Sequence, residues 1–198
     1  MQIKSDLINF SNKTIDADFI LIFDLDGTLV DTDAANLLSY KDAIQQIIKI
    51  DINLSLYSNQ RFTRKTLTNI LPRLSNIQYN EIIELKNNLF DKYLNKTKLN
   101  STAFEILQKY SDTNTIILST NSHKERAIKV LKFHNIFDKF NYRFYKDDLK
   151  SKKEMSKFEY VIKKTKILPT HFIIFENEEL EIEIALSLGI LPENIISI

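Results

Sequence analysis

Five consecutive apolar residues, Phe19-Ile20-Leu21-Ile22-Phe23, run straight into Asp24-Leu25-Asp26-Gly27-Thr28. A run this dense in branched and aromatic side chains reads as a strand buried on both faces, the central strand of a parallel sheet. Open α/β sheets bind ligands beyond the carboxyl ends of their strands, which is where Asp24 and Asp26 stand. The chain has only two glycines, Gly27 and Gly189. One kept directly after the acids marks a backbone position that a side chain would spoil. The plain alternative is an ordinary strand exit, since Asp and Gly also suit turns.

Strand alternation places Asp24 and Asp26 on the same side. One carboxylate can then attack an electrophile while the other gives or takes a proton. Two acids at short range repel, so a cation is expected between them. Hard oxygen ligands in small number suit Mg²⁺, which also binds substrate phosphate.

At 198 residues, with 43% hydrophobic and 27% charged, the chain has the make-up of a soluble globular protein of one domain, or of one domain with an insert. A net charge of +1 gives no ground for a nucleic acid or an anionic membrane as partner. The absence of cysteine excludes disulfides, thiolate metal sites and cysteine nucleophiles. Lys4, Asp6 and Lys13 interrupt the first residues, so no apolar core of signal-peptide length is present, and no stretch reaches the length of a membrane span. The expectation is a cytoplasmic protein, a monomer with a homodimer as the alternative.

Further strands are expected at Thr115 to Leu118, Phe172 to Phe175 and Ile195 to Ile198, with a weaker one at Asn141 to Tyr145. Helical stripes fall between them: Ala103, Ile106, Leu107 and Tyr110; then Ala127, Val130, Leu131 and His134 after a capping box at Ser122 and Glu125; then Phe158, Val161 and Ile162; then Leu180, Ile184 and Leu188. Alternating strands and helices predict an α/β fold, a Rossmann-like parallel sheet with helices on both faces. Residues 33–95 break this rhythm. They hold three amphipathic patterns, through Leu37 to Ile48, Leu67 to Leu74 with Pro72 as the place where the helix bends or ends, and Ile82 to Tyr93 opened by Asn80. They read as an α-helical cap inserted into a core of residues 1–32 and 96–198. The first sixteen residues fit an added helix or an edge strand equally.

FDLDGTLVD, a second strand ending in Ser119-Thr120-Asn121, a later lysine and the acidic run FENEELEIEIALSLG together resemble the haloacid dehalogenase superfamily of phosphotransferases. The helical insert matches the branch that includes β-phosphoglucomutase and phosphoglycolate phosphatase. The resemblance spans about Ile20 to Ile190.

It implies Asp24 as the nucleophile that becomes an aspartyl-phosphate, and Asp26 as the acid that protonates the leaving group and then activates water. Members that dehalogenate lack an acid at the Asp26 position, so phosphoryl transfer is implied over dehalogenation. Thr120, with Ser119 as the competing hydroxyl, would meet the phosphoryl group, joined on the substrate side by Asn121 and Thr28. Lys150, Lys152, Lys153 and Lys157 compete for the charge-screening role, and the family's register counted back from Glu176 favours Lys152. Mg²⁺ would be held by Asp24, the carbonyl of Asp26, Glu176, Asn177 and Glu181, with Asn177 standing where the family usually has an aspartate. In the cap, Arg61 and Arg64 would grip a second anionic group of the substrate. The implied activity is a Mg²⁺-dependent phosphatase of a small phosphorylated metabolite. The alternatives are a phosphomutase, or a non-catalytic binding protein with a decayed metal site.

Overall fold

The computed structural model describes residues 15–57, 61–149 and 155–198. The expectation for the first sixteen residues, and the candidates Lys150, Lys152 and Lys153, therefore lie outside the described residues, save for Ile15 and Asp16. The chain divides into two compact units, one of residues up to Val30 together with Leu99–Ile198, the other of Asp31–Lys98.

The first unit is built on five parallel strands: β1 (Ile20–Phe23), β4 (Thr115–Ser119), β5 (Tyr142–Phe144), β6 (Phe172–Glu176) and β7 (Ile195–Ser197). Two short strands, β2 (Val30–Asp31) and β3 (Lys98–Leu99), form a separate two-stranded sheet. The main order is β5-β4-β1-β6-β7, with Ile20 opposite both Thr115 and Phe172, and Phe23 opposite both Leu118 and Phe175. β1 is thus central, and Leu21, Ile22 and Phe23 are wholly buried. The sheet grows outward from β1 through β4 to β5, then resumes on the other side with β6 and β7. The strand order therefore reverses at β1, and its carboxyl end is the switch point, the place where open α/β sheets bind their ligands.

Alternation divides the apolar run between two faces. Ile20 and Ile22, with Ile117, Phe172 and Ile174, pack against Phe158 and Val161 of helix α6 (Lys157–Thr165) and Ala185 of helix α7 (Glu179–Ser187). On the opposite face the rings of Phe23 and Phe175 stack at 4.3 Å. Helices α4 (Ser101–Tyr110) and α5 (Lys124–Phe133) bury Ala103, Ile106 and Leu107, and Ala127, Val130 and Leu131. The strands lie where the apolar runs place them. β4 and β6 each extend one residue further, which carries Ser119 and Glu176 into the sheet.

The second unit holds α1 (Asp33–Ile48), α2 (Arg64–Ile70) and α3 (Asn76–Leu89) around a core of Tyr40, Ala43, Ile44, Leu54, Phe62, Leu67 and Ile82. Asp42 of α1 accepts from Lys92 and Tyr93, and the Lys92 bond foremost holds its carboxyl below the usual range.

Two helix starts differ from the sequence reading, and one helix end takes the second of its two expected forms. α2 stops at Ile70 and does not bend through Pro72, because a proline ring disfavours helical geometry in the residue before it. α3 opens at Ser75, whose hydroxyl and Gln78 form a reciprocal capping box, so Asn80 lies inside the helix. The box expected at Ser122 and Glu125 does not form: His123 holds the cap position of α5 without a side-chain bond to the helix N–H groups, and Asp147 takes the Lys124 N–H at 2.7 Å. The Ser122 hydroxyl is engaged elsewhere.

Candidate active site

Leaving β1, the chain folds into a tight loop. The N–H groups of Leu29 and Val30 return to the Leu25 carbonyl, and Gly27 N–H donates to the Val30 carbonyl at 2.9 Å. Leu25, Leu29 and Val30 are fully buried and anchor it. Gly27 has φ +91°, and a Cβ there would lie 2.5 Å from Asn177 Nδ2. Glycine is needed for both reasons: an L side chain rarely adopts this conformation, and the space is filled by Asn177. The Thr28 hydroxyl donates to Asn177 Oδ1 at 3.0 Å. The loop after β1 and the loop after β6 therefore interlock through one amide side chain.

Asp24 is buried, and Lys157 Nζ donates to its Oδ1 at 2.7 Å. The same ammonium lies 2.6 Å from Glu176 Oε2. Lys157 is the first residue of α6, directly after the capping Ser156, whose hydroxyl accepts the Glu159 N–H. Glu176 ends β6, and its Oε1 accepts the N–H groups of Asn177 and Glu178 at 2.9 and 3.0 Å. Burial pushes the Asp24 carboxyl up to about 7, against the pull of Lys157, while Glu176 and Asp26 push it further upward. Burial by itself would lower Lys157, but Asp24 and Glu176 together outweigh it and hold the ammonium above its ordinary range.

Asp26 has a cation of its own. Arg126 Nη2 donates to Oδ1 at 2.6 Å and Nη1 to Oδ2 at 3.2 Å, while the Ser122 hydroxyl donates to Oδ2. The sequence reading put one cation between the two acids. The fold supplies two organic cations, a point charge for Asp24 and a planar fork for Asp26.

At the end of β4, Ser119 donates its hydroxyl to the Lys157 carbonyl at 3.3 Å and is wholly buried. Thr120 Oγ1 accepts the Ser122 N–H at 3.1 Å, which leaves its own proton to donate. Asn121 Nδ2 donates to Glu181 Oε1 at 2.8 Å, and Glu181 Oε2 is buried with no hydrogen-bond partner among the described residues. His123 pairs with Asp147 at 3.2 Å.

The structure thus assembles Asp24, Asp26, Thr28, Ser119, Thr120, Asn121, Glu176, Asn177 and Glu181 around the ends of β1, β4 and β6. Arg61 and Arg64 belong to the helical unit and are exposed there, Arg64 as the first residue of α2. Lys152 lies outside the described residues; the lysine seen on Asp24 is Lys157, from the same basic run. Ser156 before the Phe158 stripe is the signal for it, since it marks a helix start that puts Lys157 at the first position. Arg126 was missed altogether. Its spacing of one helical turn from Ser122 was its only sequence cue.

The donor set is all oxygen, the kind Mg²⁺ takes. Among the described residues no group of three or more His, Cys, Asp or Glu is arranged to hold a metal ion. A cation here would therefore lean on neutral oxygens, those of the Asn177 amide and the Asp26 main chain. The buried, unpartnered Glu181 Oε2 is consistent with a cation nearby.

No helix among the described residues is long and apolar enough to cross a membrane. No curated protein matches the sequence. Solved structures with the same fold include a Clostridium difficile protein assigned as a phosphatase, at 20% identity over 90% of this chain and 84% of that one, TM-score 0.73. A Thermotoga maritima protein assigned as a β-phosphoglucomutase matches at 21% identity over 89% and 83%, TM-score 0.66. CbbY from Rhodobacter sphaeroides, solved in complex with phosphate, matches at 10% identity over 86% and 82%, TM-score 0.69. The family model for haloacid dehalogenase-like hydrolases matches residues 21–191, nearly the whole length, and the chain belongs to that family.

Proposed function

We propose that this hydrolase is a phosphatase of a small phosphorylated metabolite, a sugar, polyol or amino-alcohol phosphate, working through an aspartyl-phosphate on Asp24. The observation that carries the reading is the buried Lys157 ammonium shared by Asp24 and Glu176 at the switch point. It sets a positive charge directly beside the buried Asp24 carboxylate.

In the first step an Asp24 carboxylate oxygen bonds to phosphorus as the P–O bond to the leaving group breaks, and Asp26 gives its proton to the departing oxygen. In the second, water attacks phosphorus, Asp26 takes the water's proton, and the bond to Asp24 breaks to release phosphate. Lys157 and the Thr120 hydroxyl stabilise the charge that builds on the phosphoryl oxygens. Asp24, the Asp26 carbonyl, Glu176, Asn177 and Glu181 would hold Mg²⁺, which would supply further charge neutralisation when bound. Arg61 and Arg64 of the helical unit contribute substrate selection.

Phosphate release from a panel of phosphorylated metabolites is expected with Mg²⁺ and not with EDTA. A complete absence of turnover by several well-folded preparations would favour the non-catalytic reading. Isomer formation with an added bisphosphate, in preference to phosphate release, would make the protein a mutase.

Asn177 has its own expected result. Asn177→Asp restores a negative charge without changing shape, and ligand charge tunes the affinity of such sites strongly. The Mg²⁺ dissociation constant measured by calorimetry is expected to fall roughly tenfold or more. An unchanged constant would remove Asn177 from the metal site.

A further inference from the structure

We propose that Arg126 is the positioning residue of the proton-transferring acid: with Ser122 it fixes the plane of the Asp26 carboxylate. The inference rests on the phosphatase reading for what Asp26 does, and on geometry for what Arg126 does. Both terminal nitrogens of Arg126 reach Asp26, one to each oxygen, and Nη1 also donates to Ser122 Oγ at 2.6 Å. Ser122 in turn donates to Asp26 Oδ2, which closes a ring of three side chains. The Asp26 side chain is 5% exposed and that of Arg126 21%.

Arg126 and Ser122 lie one turn apart at the head of α5, and Asp26 comes from the loop after β1. The ring therefore ties that loop to the neighbouring helix.

The two acids differ in the geometry of their cations, and their tasks differ in the same sense. Asp24 must present an oxygen to phosphorus, and a point charge such as an ammonium supports that without fixing the carboxylate plane. Asp26 must deliver a proton to one place and retrieve one from nearly the same place, so its orientation matters more. Proton transfer requires hydrogen-bond reach in a defined direction. A planar guanidinium paired through both nitrogens holds a carboxylate against rotation, which a lysine cannot do.

The experiment compares two aryl esters of similar shape with Mg²⁺ present. p-Nitrophenyl phosphate has a leaving group that departs with little help from an acid; phenyl phosphate needs the proton. Arg126→Gln is expected to lower kcat/KM, which reports the ester-cleaving step and not the later attack of water, about 10- to 100-fold on phenyl phosphate and by less than about threefold on p-nitrophenyl phosphate. Arg126→Lys, which keeps the charge and favours a folded protein, is expected to show the same selective loss. Equal loss on both esters, or loss on neither, would mean that Arg126 does not position the acid.

Wild-type activity with equal losses contradicts this role alone, whereas a wild type inactive on both esters and on the metabolite panel contradicts the phosphatase reading. In that event a double-mutant cycle in thermal stability decides the role of the pair. Positive coupling between Arg126→Gln and Asp26→Asn supports the clamp, and additive losses overturn it.

Discussion

Asp24→Asn is expected to abolish phosphate release, by at least about 10⁴-fold, since removing a nucleophile that forms the covalent intermediate leaves only the binding and electrostatic contributions. The same substitution is expected to leave the metal-free fold as stable as before, or more so, at pH 8. Burial raises the Asp24 carboxyl from 3.8 to about 7. Below the lower value both folded and unfolded chains carry the proton, and Asp24 makes no difference to stability. Between the two values the unfolded chain has lost the proton while the folded one retains it, so stability falls as the pH rises. Above about 7 the folded chain has ionised too, and the deficit is complete. Asparagine does not titrate, and Lys157 keeps Glu176 as its partner. Melting curves in EDTA across this range should therefore be flatter for the variant. A variant that melts well below wild type at pH 8, or that still releases phosphate, would contradict the assignment.

Lys157→Met is expected to have the largest effect on stability. It leaves the carboxylates of Asp24 and Glu176 buried with no ammonium between them. Removing one partner of a buried ion pair is destabilising by about 3–5 kcal/mol. In a chain of this size each kcal/mol corresponds to about 2–4 °C in melting temperature, so a fall of roughly 6–20 °C is expected. The deficit should shrink at pH 5, where the raised Asp24 carboxyl holds its proton, and Glu176→Gln in the same chain should recover part of it. Phosphate release should be lost as well. A loss below about 1 kcal/mol that does not vary with pH would show the ammonium to be dispensable.

What could be read from sequence divides along a physical line. β1 and its acids were legible because they are contiguous: an unbroken apolar run, two carboxylates and one of only two glycines state their environment locally. The same holds for β4 and β6. Lys157 was harder, since the basic run offered several equivalent charges and the choice depended on where α6 begins. Ser122 was misread because a serine three residues before a glutamate carries a local capping signal. That signal lost to a buried carboxylate from a residue 96 positions earlier in the chain. Arg126 meets Asp26 across 100 positions, a pairing that depends on α5 docking beside the loop after β1. Local pattern predicts elements well. It does not say which charge on a helix will face the sheet's crevice.

The contact between Gly27 and Asn177 bears on how this site can change over generations. The space between the two loops is tight, since the Asn177 amide fills the place that a side chain at position 27 would take. Aspartate matches the outline of asparagine, and the Thr28 hydroxyl could donate to it unchanged. Every asparagine codon becomes an aspartate codon through a single base substitution. The site's anionic character can therefore be raised or lowered in one mutational step, without remaking the loops that frame it.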